Sequence, residues 1–76
     1  MKVTIKARLL TEQIESSFEL PQPSSAEDVL ALLSAERKGR LDPDHLILTM
    51  NGKRIGRSQE LSEGDVIEAF EILGGG

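Results

Sequence analysis

Strict alternation over the first twenty residues constrains this chain more than any other feature. From Lys2 to Leu10, Val3, Ile5, Ala7 and Leu9 fall on one side, while Lys2, Thr4, Lys6 and Arg8 fall on the other. A two-residue period predicts a half-buried strand, because successive side chains leave a strand on opposite faces. Thr11-Glu12-Gln13 interrupts the pattern. It resumes from Ile14 to Leu20, with Ile14, Phe18 and Leu20 on one face and Glu15, Ser17 and Glu19 opposite. Two such runs across a short polar connection predict an antiparallel hairpin. The outward cations of the first run then face the outward glutamates of the second, pairs worth about 0.2–1 kcal/mol each. The apolar face of that hairpin needs a cover, and a chain of 76 residues has room for one core.

The cover follows directly. Pro21-Gln22-Pro23 ends the second strand, since proline cannot donate to a ladder. Ser24 and Glu27 stand at capping-box spacing, and Ala26, Val29, Leu30 and Leu33 recur as one helical stripe. The spacing predicts a helix from Ser24 to Lys38. Arg37 and Lys38 sit in its last turn, where cations favour the helix dipole, and Gly39 is its expected left-handed cap.

Beyond the helix, Asp42-Pro43 marks a turn, and His45 to Met50 reads as a third strand with Leu46, Leu48 and Met50 on one face. Asn51-Gly52 is a strong hairpin signal leading to a short strand at Lys53–Ile55. Residues 56–62 read as irregular, with room for one helical turn. Glu63-Gly64-Asp65 is a turn, and Val66 to Leu73 is the last strand. The expected architecture is α+β: a mixed four- to five-stranded sheet with one main helix packed on one face. The first and last strands can lie side by side at its centre, as in a β-grasp (ubiquitin-like) roll, although other small α+β folds share this element order. Residues 1–73 form a single domain in this reading, and 74–76 form a flexible glycine tail.

Composition removes several classes of function. There is no cysteine, so disulfides, thiolate metal sites and a cysteine nucleophile are out, and the lone histidine, His45, cannot build a metal site. His45 beside Asp44 lacks a nucleophile in the pattern and reads as a surface histidine. A formal net charge of -4 disfavours nucleic acid and anionic membranes and suits a basic protein partner. No apolar run approaches the roughly 20 residues of a membrane span. The opening residues alternate rather than form a signal peptide, so a soluble, cytoplasmic protein is expected.

The sequence closes on Gly74-Gly75-Gly76. Glycine packs no side chain and loses the most backbone freedom on ordering. A frayed end is the ordinary explanation. The alternative is a thin arm ending in a carboxylate and shaped to enter another protein's active site.

Taken together, these features resemble the MoaD/ThiS sulfur-carrier proteins of the ubiquitin-like superfamily over nearly the whole chain. The resemblance rests on the opening strand, the capped helix from Ser24 to Lys38, Asn51-Gly52 after a strand, and Leu61-Ser62-Glu63-Gly64-Asp65-Val66-Ile67 before the final strand and Gly-Gly. It implies a carrier that is not itself an enzyme, has no catalytic residues and binds no cofactor. A partner of the MoeB/ThiF type, related to ubiquitin-activating enzymes, would use ATP and magnesium to adenylate the Gly76 carboxylate. Sulfur from a donor such as a cysteine desulfurase relay would convert it to a thiocarboxylate. A biosynthetic enzyme, either the molybdopterin synthase large subunit or thiazole synthase, would receive the sulfur.

In this reading Gly74 and Gly75 thread the partner's active site, and Gly76 reacts. By the family register Ile67 and Ala69 face the helix, while Phe70 and Ile72 lie on the opposite face as partner contacts together with Leu73. Lys53 and Arg54 are further candidate contacts, and Phe18 is expected in the core. The pathway stays open. Molybdopterin-synthase small subunits usually approach the tail through prolines, whereas this chain has Glu71-Ile72-Leu73. Its triple glycine is more like the thiamin-pathway members, while the longer first hairpin and short 56–62 segment lean the other way. A lysine-conjugated protein modifier and a β-grasp interaction module with an idle tail are the competing functions.

Overall fold

The computed structural model describes residues 1–38 and 40–72. The opening alternation folds as the expected hairpin, with β1 ending at Arg8 rather than Leu10 and β2 shifted one residue earlier than Ile14 to Leu20. β1 (Lys2–Arg8) and β2 (Gln13–Glu19) pair antiparallel, with Lys2 opposite Glu19 and Lys6 opposite Glu15. α1 (Ala26–Glu36) follows, then a 3₁₀ turn over Pro43–His45. β3 (Leu46–Met50), β4 (Lys53–Ile55) and β5 (Val66–Glu71) complete the chain. The five strands form one mixed sheet in the order β2-β1-β5-β3-β4, so β1 and β5 run parallel at its centre. This is the ubiquitin-like β-grasp arrangement.

One face of the sheet is dry. Val3, Ile5 and Ala7 of β1 and Ile67 and Ala69 of β5 meet Ala26, Val29, Leu30 and Leu33 of α1, all at most 2% exposed. Phe18 packs against this core from β2 as expected, and Leu9, Ile14, Leu46 and Met50 seal its margins. Asn51 and Gly52 turn the β3–β4 hairpin with φ of 55° and 77°, the left-handed pair that a two-residue hairpin turn requires.

The helix termini differ from the sequence expectation. The cap is Ser25 rather than Ser24: the Ser25 N–H donates to Asp28 Oδ2 at 2.8 Å, so Asp28 replaces Glu27 in the box. Ser24 is only 7% exposed, and its hydroxyl donates to the Pro21 carbonyl at 2.6 Å. Residues 56–62 are irregular as expected and form no helix; a single turn closes through the Gln59 N–H on the Gly56 carbonyl at 3.2 Å. The segment lies across the helix start, where the Ala26 and Glu27 N–H groups donate to the Gln59 and Arg57 carbonyls, both at 2.9 Å. Two of the orphan donors of a helix N-terminus are satisfied in this way, and Leu61 is buried alongside.

At the other end α1 stops at Glu36, two residues before the expected Lys38. Arg37 caps it, and Lys38 adopts the left-handed conformation at φ 55°. The cap expected at Gly39 lies outside the described residues. His45 belongs to the 3₁₀ turn, so β3 begins one residue later than its pattern suggested.

Candidate functional site

Among the described residues no helix lies over the other face of the sheet, and strand register fixes what it presents. One row runs across all five strands: Glu15, Lys6, Glu68, Thr49 and Arg54. Charges of both signs alternate along it, an arrangement that stays solvated without forming a single-sign field. The next row, toward the end of β5, is Gln13, Arg8, Phe70 and Ile47. Its centre is apolar. Phe70 and Ile47 are half-buried side by side, and the Arg8 guanidinium carbon lies 5.6 Å from the centre of the Phe70 ring. Such a cation over an exposed ring is worth about 0.5–1 kcal/mol. Arg8 is exposed, so the contact leaves its charge in water.

One step further, the Ile72 N–H donates to the His45 carbonyl at 2.9 Å, extending the β5 register past Glu71. Ile72 shares the parity of Phe70 and is 43% exposed. The loop between β1 and β2 closes through the Leu9 N–H on the Glu12 carbonyl at 2.8 Å. It displays Leu10, which at 60% is the most exposed large apolar residue described. The Leu10 N–H donates to Glu71 Oε1 at 2.8 Å, tying the loop to the end of β5. Ile47, Phe70 and Ile72 thus lie on the open face at the end of the described chain, and Leu10 is tied by its backbone to the same end of β5.

Of the residues singled out in the sequence, Phe70 and Ile72 stand on this open face, and Ile67 and Ala69 lie beneath the helix, as the register implied. Lys53 and Arg54 separate: Arg54 pairs with Thr49 on the open face, while Lys53 pairs with Met50 on the helix side. Leu73, Gly74, Gly75 and Gly76 lie outside the described residues. Leu10 and Ile47 went unnoticed in the sequence. Each had a signal: Leu10 shares the parity of the polar positions of the first strand, and Ile47 is apolar but out of phase with Leu46 and Leu48.

His45 is exposed, with Nδ1 3.7 Å from Asp42 Oδ2, while the neighbouring Asp44 pairs with Arg57. Among the described residues no cluster of three or more His, Asp or Glu side chains could hold a metal ion. No described helix is long and apolar enough to cross a membrane.

The ThiS family model matches this sequence over residues 1–76. The chain belongs to the ThiS family. No curated protein matches this family member significantly in sequence. Among solved structures it is similar to one assigned as molybdopterin converting factor subunit 1 from Pyrococcus furiosus, with 24% identity, a TM-score of 0.72 and coverage of 95% of this chain and 98% of that one. It is also similar to the protein described as Caldiarchaeum subterraneum ubiquitin, with 20% identity, a TM-score of 0.68 and full coverage of both chains. SAMP1 from Haloferax volcanii aligns at 18% identity with a TM-score of 0.65, covering 96% of this chain and 99% of that one. At these identities the three structures speak for the ubiquitin-like fold.

Proposed function

We propose that this ThiS-family protein is a sulfur carrier whose Gly76 carboxylate is activated by a partner enzyme and converted to a thiocarboxylate. Membership of the family over residues 1–76 carries the proposal. The carboxylate attacks the α-phosphate of ATP held with magnesium by an adenylating partner, and pyrophosphate leaves. A sulfide equivalent then attacks the acyl carbon and AMP leaves. The resulting –COSH group is the sulfur source for a biosynthetic acceptor of the molybdopterin or thiazole kind.

The geometry of the domain supports this assignment of roles. Glycine at 74–76 presents no Cβ to a narrow channel, and an unhindered carbonyl is open to attack. Ordering such an arm costs about 1–2 kcal/mol per residue, which docking of the folded domain must offset. The apolar strip of Phe70, Ile47 and Ile72 at the end of β5 is the surface for that docking, with Leu73 next in sequence as a further proposed contact.

Intact-mass measurement on protein purified from its own host tests the proposal. The expected species is heavier by the substitution of one terminal oxygen by sulfur. Gly-Gly remnants on lysines of other proteins, with no thiocarboxylate, would assign the chain to the modifiers instead. Neither species, in cells that make the activating enzyme, would leave an interaction module.

A further inference from the structure

The contact between Glu71 and the Leu10 amide bears on how the tail is presented. It joins residues 61 apart in sequence at 2.8 Å, in an exposed region. A second tie holds the same loop: Arg37 Nη2, at the end of α1, sits 2.6 Å from Glu12 Oε2. The β1–β2 loop is thus pinned both to the helix terminus and to the strand that leads into the tail. Leu10 is displayed between these pins. An exposed leucine on a free loop would have to be ordered at the moment of docking, and each immobilised backbone or side chain subtracts from affinity. A leucine whose backbone is already held contributes its apolar surface without that cost.

Glu71 is well placed for such a role. Its own backbone is fixed opposite Leu46 in the β3–β5 ladder, and it follows Phe70 and precedes Ile72 directly. We infer that Glu71 is a positioning residue. By accepting the Leu10 N–H, it locks the β1–β2 loop to the base of the tail, so that Leu10, Phe70 and Ile72 meet the activating enzyme as one preformed surface. The inference rests on the carrier reading above and adds to it a residue that acts through another.

The test measures carrier-dependent ATP–pyrophosphate exchange with the host's own adenylating enzyme, alongside hydrogen exchange at the Leu10 amide. In Glu71→Ala the Leu10 amide exchanges faster, and the KM for the carrier rises roughly three- to tenfold, the range of one net hydrogen bond, with kcat unchanged. Glu71→Gln keeps an acceptor oxygen and restores most of the affinity. Leu10→Ala raises KM similarly, and the double variant is no worse than Leu10→Ala alone, because Glu71 acts only through Leu10.

Additive losses in the double variant, or an unchanged KM in Glu71→Ala with normal wild-type turnover, would overturn the positioning role and leave the carrier reading standing. An unaltered Leu10 exchange rate in Glu71→Ala would overturn it equally. No exchange activity with the wild-type protein would sink the carrier reading, and the purpose of the latch with it.

Discussion

The two faces of the sheet are built from the same strands and have little else in common. β5 carries both within a few residues. Ile67 and Ala69 are fully buried beneath α1, whereas Val66 is 40% exposed and Phe70 lies half-buried in the open. Val3, Ile5 and Ala7 of β1 and Ile67 and Ala69 of β5 all point inward, so the covered face supplies the burial that a domain of this size needs. The open face mixes charges along one row, carries Val66 at the start of the last strand, and gathers several apolar side chains where that strand ends. Because side chains alternate, a single strand can serve stability on one side and recognition on the other. The arrangement depends on register: a slip of one residue would exchange the faces completely.

If that division holds, deleting Gly76 has the largest effect on function and almost none on folding. Adenylation is expected to vanish while the thermal midpoint stays within error of the wild type. A deletion variant activated as well as the full chain would remove the tail from the mechanism. Ile67→Ala should do the reverse. A fully buried isoleucine truncated to alanine costs about 2–5 kcal/mol, readable as a shift in the urea midpoint. Activation should then fall only in proportion to the folded fraction. Loss of activation in fully folded Ile67→Ala would break the division between the faces.

Phe70→Ala tests the open face itself. As an anchor it should weaken partner binding by about 2 kcal/mol, measured by calorimetric titration against the adenylating enzyme. Folding stability should change by less, since Phe70 lies outside the buried cluster. The opposite ranking would make Phe70 a structural residue that happens to be visible from solvent.

The fold was legible in the sequence because its strongest signals are local. Alternation in Lys2–Leu10, the stripe of Ala26, Val29, Leu30 and Leu33, and Asn51-Gly52 each act within a few residues, and each yields the expected element. The misplacements arise where distant chain intervenes. Two adjacent serines precede α1, and local pattern cannot choose between them. The choice falls on Ser25 as residues 57–61 lie across the helix start, with the Leu61 N–H on the Ser24 carbonyl at 2.9 Å. The helix end, likewise, meets Glu12 from the β1–β2 loop through Arg37.

The open face was only half legible for a related reason. Phe70 and Ile72 are placed by the register of the family that the chain resembles, since residues 66–72 do not alternate. Ile47 sits inside the apolar triplet Leu46-Ile47-Leu48, where its odd phase is the one weak signal, and the polar parity of Leu10 does not say that its backbone will be tied to Glu71. The latch between residues 10 and 71 has no sequence signature, since neither residue type nor spacing announces it.

Val66→Thr carries the smallest expected effect and sharpens the comparison furthest. Val66 is as exposed as Ile72 and lies on the same face, so a partner that simply favours greasy surface would feel its loss. Its surroundings differ, however. It pairs with Thr4, whose hydroxyl lies 2.9 Å from that of Ser17, and a threonine fits that polar row with little change of shape. It also sits four residues before Phe70, roughly 13 Å along the strand at 3.3 Å per residue, beyond the reach of contacts made at the base of the tail. Val66→Thr should therefore alter both folding stability and partner affinity by no more than about 0.5 kcal/mol. An affinity loss approaching that of Phe70→Ala would extend the docking surface over the whole open face, and its restriction to the end of β5 would have to be abandoned.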